Sequence, residues 1–247
     1  MKIIAIDSSG LTASVAIIED DNLIAEYNVQ YKKTHSQTLL PMLDEIKKMI
    51  DLDLDTVDGI AISRGPGSFT GLRIGSSTAK GLAWALNVPI IEIGTLEGMA
   101  CSLYATNAII CPMMDARRNQ VYTGLYEYSH GEKGYELNVL VDECALSVED
   151  IIVKVNDIAT KNDKDVIFMG DGVPVYEEFI RNGVKVPYSF APAHMNRQRA
   201  ASFGYLALEK LKKNEVVSSY EHAPTYLRLS QAERERNEGI RNKGSNY

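Results

Sequence analysis

KIIAIDSSGLTASVAIIEDDNLIAEYNV, residues 2–29, contains three apolar runs separated by short polar turns. The runs are KIIAI, ASVAII and LIAEYNV, and the turns between them are DSSG and EDDN. Apolar runs of this length bounded by turn residues are typical of β-strands, and short turns join antiparallel neighbours. The stretch therefore predicts a three-stranded antiparallel meander at the start of the chain.

A helix and two strand–helix pairs follow the meander. HSQTLLPMLDEIKKMI, residues 35–50, places its apolar residues at a helical period. VDGIAIS (57–63) and PIIEI (89–93) are predicted strands, and helical patterns follow them at 74–87 and 95–105. The first 105 residues thus have the predicted order βββαβαβα.

The same order of elements recurs in the second half of the chain. AIICPMMD, NQVYTGLYEY and GYELNVLV read as strands, and SVEDIIVKVNDIA as a helix with a Ser-x-x-Asp cap. DVIFMG is a further strand, and VPVYEEFIRN and RQRAASFGYLALEKLKKN are helical. Two such units predict an α/β protein with the duplicated actin-like ATPase fold (ASKHA, ribonuclease H-like). We place its subdomains at 1–105 and 106–230, and a polar, mobile tail at 231–247.

Composition and charge exclude several classes of protein. The chain has 247 residues, 45% of them hydrophobic, and a net charge of −7, which argues against a large nucleic-acid footprint. No run approaches the ~18 apolar residues that a membrane span needs. The three cysteines share no CxxC spacing, which favours free thiols in a reducing compartment. We expect a cytoplasmic protein that does not bind membranes.

The glycine-rich stretch SRGPGSFTGLRIG, residues 63–75, joins a strand to a helix. It lacks the second glycine and the lysine of a P-loop, and Thr70 stands where a dinucleotide loop has its third glycine. What remains is a tight turn with backbone amides near a helix N-terminus, a generic anion site. The stretch is therefore either a structural turn or a ligand loop.

Two other turns carry candidate nucleotide-binding residues. In an actin-like architecture both would face the cleft between the subdomains, where amides and hydroxyls can hold phosphates and an aspartate can orient Mg²⁺ through water. The candidates are Asp7, Ser8, Ser9, Gly170, Asp171 and Gly172. The alternative is that both are ordinary hydrogen-bonded turns. A third turn, with Asp115, Arg117 and Arg118, is interpreted as a structural ion pair.

The sequence predicts neither a metal site nor a catalytic residue. Its four histidines are far apart, and none has a second ligand three or four residues away; they are His35, His130, His194 and His222. The sequence contains no G-x-S-x-G elbow and no recognisable cysteine nucleophile signature.

Five segments together resemble the bacterial TsaB (YeaZ) family, from Met1 to about Glu233: IIAIDSSGLTASVAI, THSQTLLPMLDEI, GPGSFTGLRIGSSTAKGLA, PMMDARRNQVY and PTYLRLSQAE. The resemblance implies a non-catalytic role in forming N6-threonylcarbamoyladenosine next to the anticodon of tRNAs that read codons beginning with A. The implied partners are TsaD, as a heterodimer, and the ATPase TsaE in a ternary complex. In TsaD a helix carries an H-x-E-G-H-type metal motif; here the stretch is TLEGM, with Thr95 and Met99 in place of the imidazoles.

The resemblance also implies a partner-binding surface on two helices, one at 36–50 and one beginning near Phe69. Its candidate residues are Leu40, Leu43, Phe69, Gly71, Ile74, Gly75 and Ala79. The small residues would allow close helix packing, the alternative being that all seven are core. Two free chains could pair through this surface as a homodimer.

We expect no cofactor on this chain, ATP/ADP and a metal on the complex or the partner, and tRNA contacts mainly on the partner. The alternative function is an active actin-like ATPase or kinase that uses the Asp7–Ser9 and Gly170–Gly172 turns.

Overall fold

The computed structural model describes residues 1–31, 34–131 and 134–228. Its first sheet has the strand order β3-β2-β1-β4-β5. The strands are β1 (Lys2–Asp7), β2 (Thr12–Glu19), β3 (Asn22–Gln30), β4 (Gly59–Gly65) and β5 (Ile90–Gly94). β1, β2 and β3 are antiparallel neighbours, whereas β4 and β5 join parallel to β1. The predicted meander is confirmed.

The second sheet repeats this topology, with the order β10-β9-β6-β7-β8. Its strands are β6 (Ile109–Asp115), β7 (Gln120–Gly131), β8 (Gly134–Ser147), β9 (Val166–Met169) and β10 (Tyr188–Phe190). β6, β7 and β8 form an antiparallel meander, and β9 and β10 are parallel to β6. The sequence patterns missed β10 because three residues are too short to show a period. With it, the duplicated βββαβαβα order of the predicted actin-like fold is confirmed.

Six α-helices accompany the strands in the described residues. They are α1 (Leu39–Met49), α2 (Phe69–Leu86), α3 (Thr95–Cys101), α4 (Val148–Asn162), α5 (Gly172–Gly183) and α6 (Ala200–Lys212). The side chain of Ser147 accepts a hydrogen bond from the amide of Asp150, which confirms the predicted cap of α4. Ser68 caps α2 in the same way, and Asn87 ends that helix in the left-handed conformation.

The helices form three layers around the two sheets. α1 and α2 cover the outer face of the first sheet, and α4 and α5 cover the outer face of the second. α6 packs on the inner face of the first sheet, with Phe203 against Ile3 and Ile91. α3 packs on the inner face of the second, with Met99 in a cluster with Ile110. We refer to each sheet with its outer helices as a lobe.

The two inner helices are therefore exchanged between the lobes. α3, from the first half of the chain, contributes to the core of the second sheet, while α6, assigned above to the second subdomain, covers the first sheet. α6 lies close to the sheet at Gly204, where a Cβ would lie 2.4 Å from Ile18 Cδ1 and 3.2 Å from the Cβ of Ala5. The order of elements along the chain carries no information about this exchange. The boundary at residues 105/106 itself stays a prediction.

Residues 216–228, called here the C-terminal strap, lack a named helix or strand but are attached to the first lobe. Ile90 and Val217 exchange two backbone hydrogen bonds of 2.9 Å. The buried His222 bonds through Nδ1 to Glu92 at 2.5 Å, and the amide of Thr225 donates to the carbonyl of Arg64 at 2.7 Å. The predicted tail at 231–247 lies outside the described residues. Within the described part, the chain has no helix that is both long and apolar enough to cross a membrane.

Candidate functional site

The turn between β1 and β2 is buried. The side chain of Asp7 has no exposed surface; its Oδ1 accepts a 3.3 Å hydrogen bond from the amide of Ser9. Its Oδ2 and the hydroxyl of Ser9 have no hydrogen-bond partner among the described residues. Burial raises the pKa of the Asp7 carboxyl to about 6, an effect that the hydrogen bond from the Ser9 amide and the nearby His35 only partly offset.

The glycine-rich stretch packs against this turn. A Cβ on Gly71 would lie 2.1 Å from the carbonyl oxygen of Ser8, and one on Gly67 would lie 2.3 Å from that of Ser9. The hydroxyl of Ser8 donates a hydrogen bond to the carbonyl oxygen of Gly71 at 2.8 Å. The amide of Ser68 donates one to the carbonyl oxygen of Ser9 at 2.7 Å. These contacts favour the structural turn over the ligand loop, because glycine is what lets α2 approach the β1–β2 turn.

This packing corrects part of the expected partner surface. Gly71, Gly75 and Ala79 face the interior of the first lobe, and Leu43 is also buried. A helical period of small residues identifies a stripe on a helix but not the side of the helix that faces outward. Of the seven candidates, three retain exposed surface: Leu40, Phe69 and Ile74.

Those three line a groove of about 530 Å³ between α1 and α2, called here the docking groove. Leu40 on its wall is 53% exposed. Its polar lining includes His35, Arg73 and Ser77. Trp84 lies further along the same helix and is 68% exposed, which the sequence interpretation missed. Exposed apolar side chains around a groove are typical of a protein-binding surface.

The second lobe carries the equivalent turn pair, at Met113–Asp115 and Gly170–Gly172. Gly170 has φ +111°, and a Cβ there would lie 2.1 Å from the carbonyl oxygen of Met113. The carboxylate of Asp171 accepts from the amide of Asp115 at 3.1 Å, and burial raises its pKa. These residues hold the end of β6 against the start of α5.

A cleft of about 420 Å³ lies between the lobes. Of the six candidate nucleotide-binding residues, it brings together Ser9 and Asp171, whereas the other four do not line it. The buried side chain of Gln198 lies between the lobes: its Nε2 is 3.6 Å from Met114 Sδ and would be 2.6 Å from a Cβ on Gly10. The strap crosses the mouth of the cleft, where Arg228 donates to the carbonyl of Ala116.

His35 connects the cleft and the docking groove. It lines both, and its Nε2 donates to the carbonyl of Gly10 at 2.8 Å, because that oxygen can only accept. The sequence interpretation treated His35 only as an isolated histidine. The segment THSQ, which contributes to the family resemblance, was the available signal.

Thr95 and Met99, at which the family resemblance implies the metal ligands of TsaD, are packing residues in this structure. The hydroxyl of Thr95 lies 2.6 Å from that of Ser63 in the interior, and Met99 is part of the inner core. In the part of the chain that the structure describes, no group of three or more His, Cys, Asp or Glu side chains could hold a metal ion.

The paired sheets and the cleft place the chain among the two-lobed actin-like α/β proteins. The family model described as "TsaD: tRNA N6-adenosine threonylcarbamoyltransferase" matches residues 23–236. The chain is 32% identical to the tRNA threonylcarbamoyladenosine biosynthesis protein TsaB of Bacillus subtilis, over 94% of this chain and 96% of that one. It is 29% identical to the TsaB of Haemophilus influenzae, over 92% of this chain and 94% of that one. The structure of YeaZ from Pseudomonas aeruginosa superposes with a TM-score of 0.76 at 28% identity, covering 92% of this chain and 99% of that one. The chain belongs to the TsaB branch of this family.

Proposed function

We propose that this protein acts in the biosynthesis of tRNA threonylcarbamoyladenosine as a non-catalytic subunit that binds and activates TsaD. The observation that carries the proposal is the similarity to TsaB over nearly the whole chain. The internal packing of Thr95 and Met99 supports it, because these side chains contribute to the core rather than to a reactive surface. The ATP/ADP and the metal of the reaction would be bound by the partner or the complex, and TsaE would join as a third subunit in the cytoplasm.

The docking groove is the surface proposed for TsaD. Its apolar wall, with Leu40 and Ile74, suits a helix of the partner packed between α1 and α2. The net charge of −7 supports tRNA contacts that lie mainly on TsaD.

The test is co-purification with the cognate TsaD, followed by a threonylcarbamoyl-transfer assay on tRNA. Leu40→Glu places a charge in the groove, and we expect it to weaken binding at least tenfold and to lower modification equally, because a carboxylate is desolvated on docking. Leu40 is 53% exposed, so the variant should fold.

Val153→Glu is the matched control. Val153 lies on α4, a topological counterpart of α1, and is 59% exposed, so the same change alters the other lobe only. We expect wild-type binding and activity from it. The proposal fails if the wild-type chain does not bind TsaD, or if modification proceeds equally without it.

A homodimer of the free chain would use the same groove. Analytical ultracentrifugation should then show a wild-type dimer and a Leu40→Glu monomer. A dimer that persists in Leu40→Glu would place self-association elsewhere.

One observation favours the second candidate, an ATPase or kinase. Asp7 Oδ2 and the Ser9 hydroxyl have no hydrogen-bond partner within residues 1–31, 34–131 and 134–228, and a hydrated Mg²⁺ or a phosphate would satisfy them. Against it, Asp7 does not line the cleft and Gln198 lies between the lobes. Titration of the isolated chain with Mg-ATP distinguishes the two functions: we expect no binding, and tight binding with turnover lost in Asp7→Asn would favour the kinase.

A further inference from the structure

We propose that Tyr226 of the C-terminal strap is a positioning residue of the docking groove, which fixes Phe69 and Arg73 in the arrangement that TsaD meets. This inference rests on the proposed function, in which the groove is the TsaD surface. It adds to that surface a segment from the far end of the chain, more than a hundred residues away from both helices of the groove.

Three contacts join the residues into one stack. The rings of Tyr226 and Phe69 have centroids 4.9 Å apart. The guanidinium of Arg73 lies 4.1 Å from the centroid of the Phe69 ring, and its Nε donates to the hydroxyl of Tyr226 at 3.2 Å. Each of the three side chains thus contacts the other two, which leaves each one fewer rotamers than it would have alone.

The stack lies at the edge of the groove. Phe69 and Arg73 are one turn apart at the start of α2, and both line the docking groove. Tyr226 lines the interlobe cleft on the other side of Phe69. Tyr226 therefore supports the groove from behind and is not part of its lining.

The position of Tyr226 is set by the strap before it. The amide of Thr225 donates to the carbonyl of Arg64, and a Cβ on Gly65 would lie 2.5 Å from the carbonyl oxygen of Thr225. Gly65 has φ +112°, a conformation that favours glycine. Further back, Lys80 donates to the carbonyl of His222 at 2.9 Å. The first glycine of GPGSFTGLRIG thus makes room for the strap.

Pre-ordering of two side chains lowers the entropy lost on binding. An arginine and a phenylalanine at an interface lose rotamer freedom when a partner docks, and a surface that holds them in place beforehand avoids part of this loss. Arginine and aromatic side chains are also those on which interface affinity most often depends. We therefore expect removal of the Tyr226 ring to weaken TsaD binding by roughly tenfold.

The experiment measures the affinity of the full chain for TsaD by calorimetry, together with the melting temperature of each variant. Tyr226→Ala should weaken binding about tenfold, and Tyr226→Phe, which keeps the ring and loses the hydroxyl, by no more than about threefold. Tyr220→Ala is the matched control: it truncates a tyrosine of the same strap that is 79% exposed and does not line the docking groove. It should bind as the wild type does.

A double-mutant cycle separates positioning from direct contact. If Tyr226 acts through Arg73, the losses of TsaD affinity in Tyr226→Ala and Arg73→Ala overlap. The double variant then binds TsaD only slightly less tightly than the single variant with the lower affinity. Fully additive losses would overturn the positioning role, as would wild-type affinity in Tyr226→Ala or an equal loss in Tyr220→Ala. Failure of the wild-type chain to bind TsaD would instead overturn the proposed function.

Discussion

The two lobes have the same strand topology, but the turn after their first strand has opposite surroundings. In the first lobe Asp7 is fully buried, and one of its carboxylate oxygens has no hydrogen-bond partner in the part of the chain that the structure describes. In the second lobe the carboxylate of Asp115 is partly exposed and accepts from the amide of Arg117 and the hydroxyl of Tyr176. The same strand topology therefore places an aspartate at the end of the first strand in both lobes, but it does not give the two carboxylates the same environment. The helix that packs on each turn determines how far its aspartate is buried.

The helices that follow these turns differ as well. α2 is 18 residues long and turns glycines and small residues inward, so it lies close to the β1–β2 turn. α5 has 12 residues and departs from helical geometry at Tyr176, whose hydroxyl bonds to Asp115. Glycines let both turns pack closely, but the first lobe buries Asp7 completely, whereas the second leaves Asp115 partly exposed beside Arg117.

Gly71→Ala tests the packing in the first lobe and should have the largest effect. The new Cβ would lie 2.1 Å from the backbone oxygen of Ser8, which cannot move without shifting β1. We expect the free energy of unfolding to fall by about 3 kcal/mol, as measured by urea denaturation.

Gly81→Ala is the matched control in the same helix. A Cβ at Gly81 would meet no atom of the described residues within 4 Å, so the change should stabilise the protein by about 1 kcal/mol through helix propensity. If the two changes alter the free energy of unfolding equally, close packing of α2 against the β1–β2 turn does not contribute to stability.

Asp7→Asn tests the buried carboxyl. The pKa of Asp7 in the folded protein, about 6, lies above its usual value of 3.8, so between these pH values the folded state holds a proton that the unfolded chain has released. The stability of the wild type therefore falls as the pH rises through this window. We expect Asp7→Asn to be more stable by about 2 kcal/mol at pH 7 and to lose this advantage towards pH 4, in denaturation series at several pH values.

Asp115→Asn is the corresponding change in the second lobe. Because Asp115 accepts hydrogen bonds from the amide of Arg117 and the hydroxyl of Tyr176, its replacement should lower the stability at pH 7 by about 1 kcal/mol. A gain in stability from both variants would remove the distinction between the two turns.

Arg118→Gly should have the smallest effect. Arg117, Arg118 and Asn119 in the β6–β7 turn have φ values of +65°, +58° and +55°, which side-chain-bearing residues adopt at a cost. Glycine at Arg118 should raise the melting temperature, with a gain of up to about 1 kcal/mol. The control Lys154→Gly, within the regular helix α4, should cost about the same amount. A loss of stability in Arg118→Gly would show that the arginine side chain itself supports the turn.

Much of the fold follows from local patterns, since each sheet begins with apolar runs whose neighbours are adjacent in the sequence. The burial of KIIAI and ASVAII is almost complete, as their apolar character predicted. β10 was not predicted, because a strand of three residues is too short to show an alternating pattern of apolar and polar residues. The exchange of α3 and α6 depends on contacts between distant segments, such as Gly98 against Phe203, and no local pattern encodes it.

The partner surface on α1 and α2 stays a prediction, but the structure shows which of its residues could contribute to it. Gly71, Gly75 and Ala79 face inward, whereas Trp84, which was not among the candidates, faces outward. The small residues of α2 let the helix pack closely against the β1–β2 turn inside the lobe. This is visible only once the position of Ser8 in the folded protein is known. Tyr226 lies in PTYLRLSQAE, one of the segments that carry the family resemblance, but no pattern in that segment indicates a role, because the strap has no regular secondary structure.

The position of α6 determines when the protein can finish folding during synthesis. The inner face of the first sheet, including Ile3 and Ile91, is covered by a helix that begins at Ala200. At roughly 5–20 residues per second, the ribosome needs about 5–20 s after β5 to reach the start of α6. Throughout that interval the first lobe presents an apolar sheet face to solvent, and it is the lobe that is made first and completed last.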